Sequence, residues 1–125
     1  MNTFQIIFIS LIVIYLALKV KKMIMEKGIK NYSPAIVSNK INTDKNVVLL
    51  DVRTDSERKS RSIKGSIHIP LQELSGRIGE LEKYKNREII CYCHSGARSA
   101  SATAMLIKNG FNAANMSGGI SAWNY

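Results

Sequence analysis

Residues 89–99 read Ile-Ile-Cys-Tyr-Cys-His-Ser-Gly-Ala-Arg-Ser and form the most informative stretch of the chain. A short β-branched run ends at Cys93, small and polar residues follow, and Arg98 closes the stretch. A segment rich in alanine, which favours helix, begins at Ser99. The pattern predicts a strand, a tight loop and a helix N-terminus, with a thiol at the first loop position and a guanidinium at the last.

Apolar runs of strand length alternate with helical patterns after residue 33. Strands are predicted at 47–50, 66–69, 88–92 and 112–116, and helices at 33–38, 55–59, 71–81, 99–109 and 120–123. Gly76 and Gly79 are expected to divide the third helix into two short pieces. The alternation predicts the α/β class, with a small parallel sheet covered by helices on both faces.

The chain has two cysteines, Cys91 and Cys93. We expect their side chains to point to opposite faces of the strand and therefore not to pair. No CxxC motif and no second cluster of cysteine and histidine is present, so the sequence predicts neither a metal site nor a resident cofactor. The absence of a disulfide framework suits a reducing compartment. For Cys91, a small buried hydrophobe is favoured over a resolving thiol.

The net charge of +9 is spread along the 125 residues. Basic proteins often bind nucleic acid, but aromatic residues make up 7% of the chain and no DNA- or RNA-binding motif is present. We therefore expect no nucleic-acid partner. The length leaves room for one folded domain with a modest core.

The first 18 residues carry no charged side chain, and eleven of the fifteen residues at 4–18 are Phe, Ile, Leu or Val. These favour bilayer insertion by roughly 3–7 kcal/mol. A cleaved signal fits less well, because no Lys or Arg precedes the run and no small-x-small site follows it. A buried core helix also fits less well, because every face is apolar. We predict a transmembrane anchor and basic juxtamembrane segment over 1–30 and one domain over 31–125.

Lysines flank this apolar segment on its C-terminal side, at Lys19, Lys21, Lys22 and Lys27. Positive residues next to a span stay on the cytoplasmic side of the membrane. We therefore expect a single-pass protein of the cell membrane whose C-terminal domain is cytoplasmic. The lipid bilayer is one expected partner, because the same lysines would lie close to anionic headgroups.

Cys93 is expected at the carboxyl end of a buried strand, where open parallel sheets form ligand sites. A helix dipole alone lowers the pKa of a thiol by less than about one unit. Successive backbone N–H groups of residues 94–98 can form an anion-binding nest, and Arg98 adds a full positive charge. This loop is predicted to favour a thiolate and to bind an anion above it. Asp51 and Arg53, which end another strand, are candidate supporting residues or a pair that binds only itself.

Four motifs of the chain occur in the order and spacing of a known family. They are Val48-Leu49-Leu50-Asp51-Val52-Arg53; Glu57 followed by Ile63-x-Gly65-Ser66-Ile67-His68-Ile69-Pro70; Cys93-His94-Ser95-Gly96-Ala97-Arg98-Ser99; and Gly110-Phe111 followed by Gly118-Gly119-Ile120-x-x-Trp123. On these motifs the chain resembles the rhodanese-like domain family over nearly all of 31–125. The resemblance implies a five-stranded parallel sheet flanked by helices, with Cys93 as the sulfur-carrying nucleophile. It also implies a loop that binds the persulfide, formed by His94, Ser95, Gly96, Ala97, Arg98 and Ser99.

The resemblance implies a sulfurtransferase or persulfide carrier. Cys93 would take a sulfane sulfur from a donor such as thiosulfate and pass it to a thiol or cyanide-like acceptor. The loop is one residue shorter than the phosphate-binding cysteine loops of tyrosine phosphatases, which suits one extra sulfur atom. Two alternatives stay open: a non-catalytic membrane-docked adaptor or redox sensor, and a phosphatase or arsenate reductase of the same fold.

Two departures from the family pattern lie in one segment. Arg61-Ser62 stands where the family has Gly-His, and Arg58 stands where an aromatic residue is usual. We expect these changes to alter local packing but not the chemistry of the thiol. His68 is expected to hold the strand before Pro70, and His94 to be an exposed loop position.

Overall fold

The structure is a computed structural model that describes the backbone of residues 1–125 and all side chains except those of 25–27. The helices are α1 Thr3–Lys27, α2 Pro34–Thr43, α3 Asp55–Ser60, α4 Leu71–Arg77 and α5 Ala97–Lys108. The strands are β1 Lys30–Tyr32, β2 Val47–Asp51, β3 Ile67–His68, β4 Glu88–Tyr92 and β5 Asn112–Met116. Two 3₁₀ helices, η1 Ile78–Tyr84 and η2 Ile120–Ala122, complete the chain.

The five strands form one parallel sheet in the order β1-β5-β4-β2-β3. Strands β4 and β2 lie inside the sheet and are apolar apart from Glu88 at the start of β4 and Asp51 at the end of β2, because parallel strands inside an α/β layer are buried on both faces. The expected fold class, a five-stranded parallel sheet flanked by helices, is confirmed. The carboxyl ends of β2, β4 and β5 meet at one edge, and the loop after β4 lies there.

Alternate residues of β4 supply the two halves of the core. Ile89, Cys91 and Cys93 pack on one face against α5, while Ile90 and Tyr92 pack on the other face with Trp123. The prediction that the two cysteines point to opposite faces was wrong, because residues two positions apart on a strand share a face. Both thiols are nevertheless free and buried.

Strand β1 was not predicted from the sequence. Its three residues are Lys, Asn and Tyr, which have no apolar pattern, and it forms an edge of the sheet beside β5. Ile29, just before β1, is buried. The sheet therefore begins at Lys30, within the segment predicted to be juxtamembrane.

Three helix boundaries differ from the predictions. Helix α2 continues to Thr43 instead of ending near residue 38, and α5 begins at Ala97 rather than Ser99. The helical segment after Pro70 does form two pieces, but the junction lies between Arg77 and Ile78, where α-helix changes to 3₁₀ helix, and not at a glycine.

Helix α1 contains a stretch long and apolar enough to cross a membrane, Thr3–Ile24, with mean hydropathy 2.2 and 0% of its apolar window buried. Its C-terminal part contacts α5. An exposed apolar helix of this length at the N-terminus fits a membrane span or a signal sequence.

Candidate active site

The loop after β4 directs backbone N–H groups at the sulfur of Cys93. Gly96 caps α5 with a left-handed backbone conformation, φ +106°, which glycine adopts without strain. The Gly96 N–H donates to Cys93 Sγ at 3.1 Å, and the Ser99 hydroxyl donates to the same sulfur at 3.3 Å. Cys93 is 1% exposed, so its sulfur lies at the base of the loop.

The pKa of Cys93 is set by burial and by hydrogen bonds that oppose each other. Burial raises the pKa of the thiol, since it disfavours the charged form. Hydrogen bonds from the Ser99 hydroxyl and from the backbone N–H groups of Ser99, Gly96 and Ser95 outweigh burial, and the pKa falls below its ordinary value. The loop therefore stabilises a thiolate, as the sequence predicted.

Cys91 has the opposite environment. It is completely buried, and burial raises the pKa of its thiol to about 12. The thiol therefore stays protonated at neutral pH, and a protonated thiol is a poor nucleophile. This confirms Cys91 as a small core residue.

The C-terminal glycines hold the loop from the other side. Ile120 N–H donates to the Cys93 carbonyl at 2.9 Å, and Ser121 N–H donates to the His94 carbonyl at 3.1 Å. A Cβ on Gly119 would lie 2.3 Å from the His94 carbonyl oxygen, so a larger residue cannot occupy this position without moving the loop. The backbone of residues 119–121 thus holds the Cys93 and His94 carbonyls in place.

Arg98 makes a two-pronged ion pair with Glu57. Its Nη1 lies 2.7 Å from Glu57 Oε1 and its Nη2 lies 2.8 Å from Oε2. The hydrogen bonds from Arg98 hold the pKa of Glu57 at about 2, and those from Thr54 add to the effect. The predicted guanidinium is therefore present at the loop but is neutralised by a carboxylate. The sequence contains Glu57 in a family motif, but its role at the site was missed because its partner is 41 residues away.

Asp51 and Arg53 form a buried pair beneath the site. Arg53 Nη2 lies 2.9 Å from Asp51 Oδ2. Asp51 is 0% exposed and Arg53 is 3% exposed. Arg53 also donates to the carbonyls of Glu57 and Arg61. Of the two interpretations offered by the sequence, the pair is observed, and it orients the segment that carries Glu57. No described hydrogen bond joins either residue to Cys93.

The two departures from the family pattern have defined contacts. Arg58 donates to the Asp51 carboxylate at 3.3 Å and to Ser66 Oγ at 2.7 Å. Arg61 donates to the carbonyls of Ile120 and Trp123. Both arginines therefore make hydrogen bonds at these positions, and Arg61 connects the end of α3 to the segment that holds the loop.

The remaining predicted loop residues differ in exposure. His94, Ser95 and Ala97 are exposed, whereas Ser99 is fully buried under the loop. His68 Nε2 lies 2.7 Å from the Arg53 carbonyl oxygen, so the side chain connects β3 to the segment after β2. Among the side chains that the structure describes, no three His, Cys, Asp or Glu residues are close enough together to hold a metal ion.

Comparison with known proteins identifies the family. Residues 33–125 match the rhodanese-like domain. The chain belongs to the rhodanese-like domain family. The rhodanese-like chain is 34% identical to YtwF of Bacillus subtilis over 95 residues, 76% of this chain and 90% of YtwF.

A second relative and a solved structure are similar to the chain over most of its folded domain. A sulfurtransferase of Allochromatium vinosum is 34% identical over 88 residues, 70% of this chain and 80% of that protein. The crystal structure of a rhodanese-like domain protein from Staphylococcus aureus has a TM-score of 0.70 and 32% identity, covering 76% of this chain and 91% of that chain.

Proposed function

We propose that this chain is a membrane-tethered sulfurtransferase or persulfide carrier that moves a sulfane sulfur through a persulfide on Cys93. The observation that carries the proposal is the convergence of hydrogen-bond donors on Cys93 Sγ, from Gly96 at 3.1 Å and Ser99 at 3.3 Å. Membership of the rhodanese-like family and a sulfurtransferase relative at 34% identity support the same class of reaction.

In the loading step, the Cys93 thiolate attacks the outer sulfur of a donor such as thiosulfate. An S–S bond forms at Cys93 while the S–S bond of thiosulfate breaks, and sulfite leaves with the electron pair of that bond. The step needs no external oxidant or reductant. The lowered pKa of Cys93 increases the fraction of the thiol that is present as the reactive thiolate.

In the transfer step, a thiolate or cyanide attacks the terminal sulfur of the Cys93 persulfide. The S–S bond breaks, its electron pair returns to Cys93 Sγ, and the acceptor leaves as a persulfide or thiocyanate. The donors that stabilise the thiolate at Cys93 Sγ are available again as this charge returns, since Gly96 N–H and the Ser99 hydroxyl already face the sulfur. The loop therefore stabilises the thiolate of Cys93 both before loading and after transfer.

Helix α1 is proposed to tether the domain to the cell membrane. Its apolar stretch Thr3–Ile24 is long enough to span the hydrocarbon core, and Lys19, Lys21 and Lys22 near its C-terminal end favour a cytoplasmic domain. Extraction of cell membranes at alkaline pH tests the tether. Protease treatment of intact spheroplasts, in a separate experiment, tests the orientation of the domain. A C-terminal tag that stays with the membrane and resists external protease supports the tether. A tag released to the soluble fraction contradicts it.

Turnover of thiosulfate and cyanide to thiocyanate, measured with the full chain in detergent micelles, tests the enzymatic function. We expect turnover in the wild type and in Cys91→Ser, but none in Cys93→Ser. Equal loss of turnover in both cysteine variants would overturn the assigned roles.

A further inference from the structure

Asn115 is a buried amide at the carboxyl edge of the sheet. It is 3% exposed and lies in register between Cys91 of β4 and Asn31 of β1. Its Nδ2 donates to two acceptors, Asn31 Oδ1 at 3.0 Å and the Gly96 carbonyl at 3.2 Å. The side chain therefore bridges the edge strand and the loop that carries Cys93.

The other end of the same amide is unsatisfied. Asn115 Oδ1 has no hydrogen-bond partner, and it is the sole such buried atom among the side chains that the structure describes. Leaving a buried acceptor unpaired destabilises the folded state. Rotating the amide by 180° would not relieve this, because the oxygen would then face the acceptor oxygens of Asn31 and Gly96. The orientation of the amide is thus determined by what its N–H groups hold.

Gly96 is the residue on which these contacts converge. Its N–H donates to Cys93 Sγ at 3.1 Å, and its carbonyl accepts from the Ala100 N–H at 3.1 Å and from Asn115. Glycine has no side chain to cap α5 and the widest backbone freedom, so its conformation at φ +106° depends on contacts from outside the loop.

We propose that Asn115 is a positioning residue whose side-chain amide holds the Gly96 carbonyl and thereby aims the Gly96 N–H at Cys93 Sγ. The proposal rests on the proposed function of Cys93 and adds a determinant of its reactivity. Asn31 lies four residues after the end of α1 at Lys27 and is the second residue of β1, and it holds the amide from the other side. The strand that follows the membrane helix is therefore connected to the reactive loop through two amide side chains.

The test measures the pH dependence of iodoacetamide alkylation of Cys93 in the full chain in detergent micelles, with the modified cysteine located by mass spectrometry. Asn115→Ala removes the hydrogen bond to Gly96. We expect the midpoint to move to higher pH and the rate at pH 7 to fall by roughly three- to tenfold, the effect of about one hydrogen bond on the thiolate. Asn112→Ala, on the same strand but exposed, is the matched control and is expected to keep the wild-type midpoint.

Asn31→Ala tests the same contact from an exposed position, where the substitution leaves the core intact. We expect a smaller shift in the same direction, and this variant decides the question if Asn115→Ala fails to fold. Wild-type midpoints in the folded variants, even with a lower melting temperature, would overturn the proposal and leave Asn115 a purely structural residue. The readout does not require sulfur transfer, so failure of the proposed function would show separately, as absent turnover with a normal alkylation profile.

Discussion

At the scale of single residues, the reactivity of Cys93 depends on the few groups that donate to its sulfur. Ser99 contributes both a hydroxyl and a backbone N–H, and its side-chain hydrogen bond is the largest of the contributions that lower the pKa of Cys93. The residue is buried beneath the loop, so water cannot replace its hydroxyl.

Ser99→Ala is therefore expected to raise the pKa of Cys93 and to slow sulfur loading at pH 7 by roughly three- to tenfold, as loss of one ordinary hydrogen bond would. The loading rate should recover as pH rises, because a higher pH forms the thiolate in spite of the raised pKa. Single-turnover release of sulfite as a function of pH measures both. Ser95→Ala is the matched control, because its exposed side chain can be removed while its backbone N–H remains. An unchanged profile for Ser99→Ala would contradict this account.

Glu57 gives the molecule a stability that depends on pH. The hydrogen bonds from Arg98 lower the pKa of Glu57 from 4.5 to about 2. A carboxyl whose pKa is lower in the folded state stabilises the fold above its unfolded pKa and loses that contribution as pH falls. The contribution of the pair should therefore be complete above about pH 5 and disappear towards pH 2.

Thermal unfolding of the wild type and of Glu57→Gln between pH 7 and pH 2 measures this contribution. The wild type should be more stable than Glu57→Gln at pH 7. The difference in stability should shrink as pH falls, because protonated Glu57, like the glutamine of the variant, carries no charge. Glu73→Gln, at an exposed ion pair with Arg77, is the control with a small effect. A difference between wild type and Glu57→Gln that is constant with pH would show that the ion pair is not its source.

The residues of the site were predictable to the extent that they lie close together in the sequence. Cys93, Gly96 and Ser99 fall within one short motif, and the spacing alone places a thiol beside backbone donors. Glu57 and Asn115 reach the loop from distant segments. Glu57 lies in a family motif, but nothing in the sequence near either residue indicates its partner in the loop. Their contacts become visible when the sheet brings the strand ends together.

At the scale of elements, the loop depends on the turn before η2. Gly119 has φ +61°, and a Cβ there would lie 2.3 Å from the His94 carbonyl oxygen. The backbone of residues 119–121 lies directly against the loop that it supports.

Gly119→Ala should destabilise the fold by roughly 1–3 kcal/mol from backbone strain alone, with the steric overlap adding to it, and should reduce sulfur loading. Gly79→Ala is the matched control, since nothing lies within 4 Å of a Cβ at that position. Urea unfolding followed by circular dichroism gives both free energies of unfolding. Equal stability of the two variants would refute the predicted close approach.

Strands whose burial requires a run of apolar residues could be predicted from the sequence. An edge strand without such a run could not. The central strands β2 and β4 are such runs, and both were placed within one residue of their observed bounds. Strand β1 reads Lys-Asn-Tyr, and its place in the sheet depends on pairing with β5. Helix α5 likewise begins at Ala97, directly after Gly96, whose left-handed conformation no apolar pattern predicts.

At the scale of the whole molecule, the folded domain extends to the end of α1. The family match begins at residue 33, but β1 occupies Lys30–Tyr32 and Ile29 is buried. The Tyr32 hydroxyl also donates to Glu88 Oε2 at 2.8 Å, which ties β1 to the start of β4. The residues between α1 and the family match are therefore part of the core structure.

A fragment of residues 28–125 should accordingly be more stable than one of residues 33–125 by roughly 2–5 kcal/mol. The longer fragment buries Ile29 and keeps the hydrogen bonds of β1, which the shorter fragment lacks. Thermal and urea unfolding of the two soluble fragments measures the difference. Equal stability would show that β1 adds nothing to the domain.

The central claim is that Cys93 carries sulfur. The most direct measurement is the intact mass of the full chain after incubation with thiosulfate, compared with Cys93→Ser and Cys91→Ser. The account predicts a gain of one sulfur atom in the wild type and in Cys91→Ser, its absence in Cys93→Ser, and its removal by cyanide. No gain in the wild type with thiosulfate or any other sulfane donor, or a gain that persists in Cys93→Ser, would contradict it.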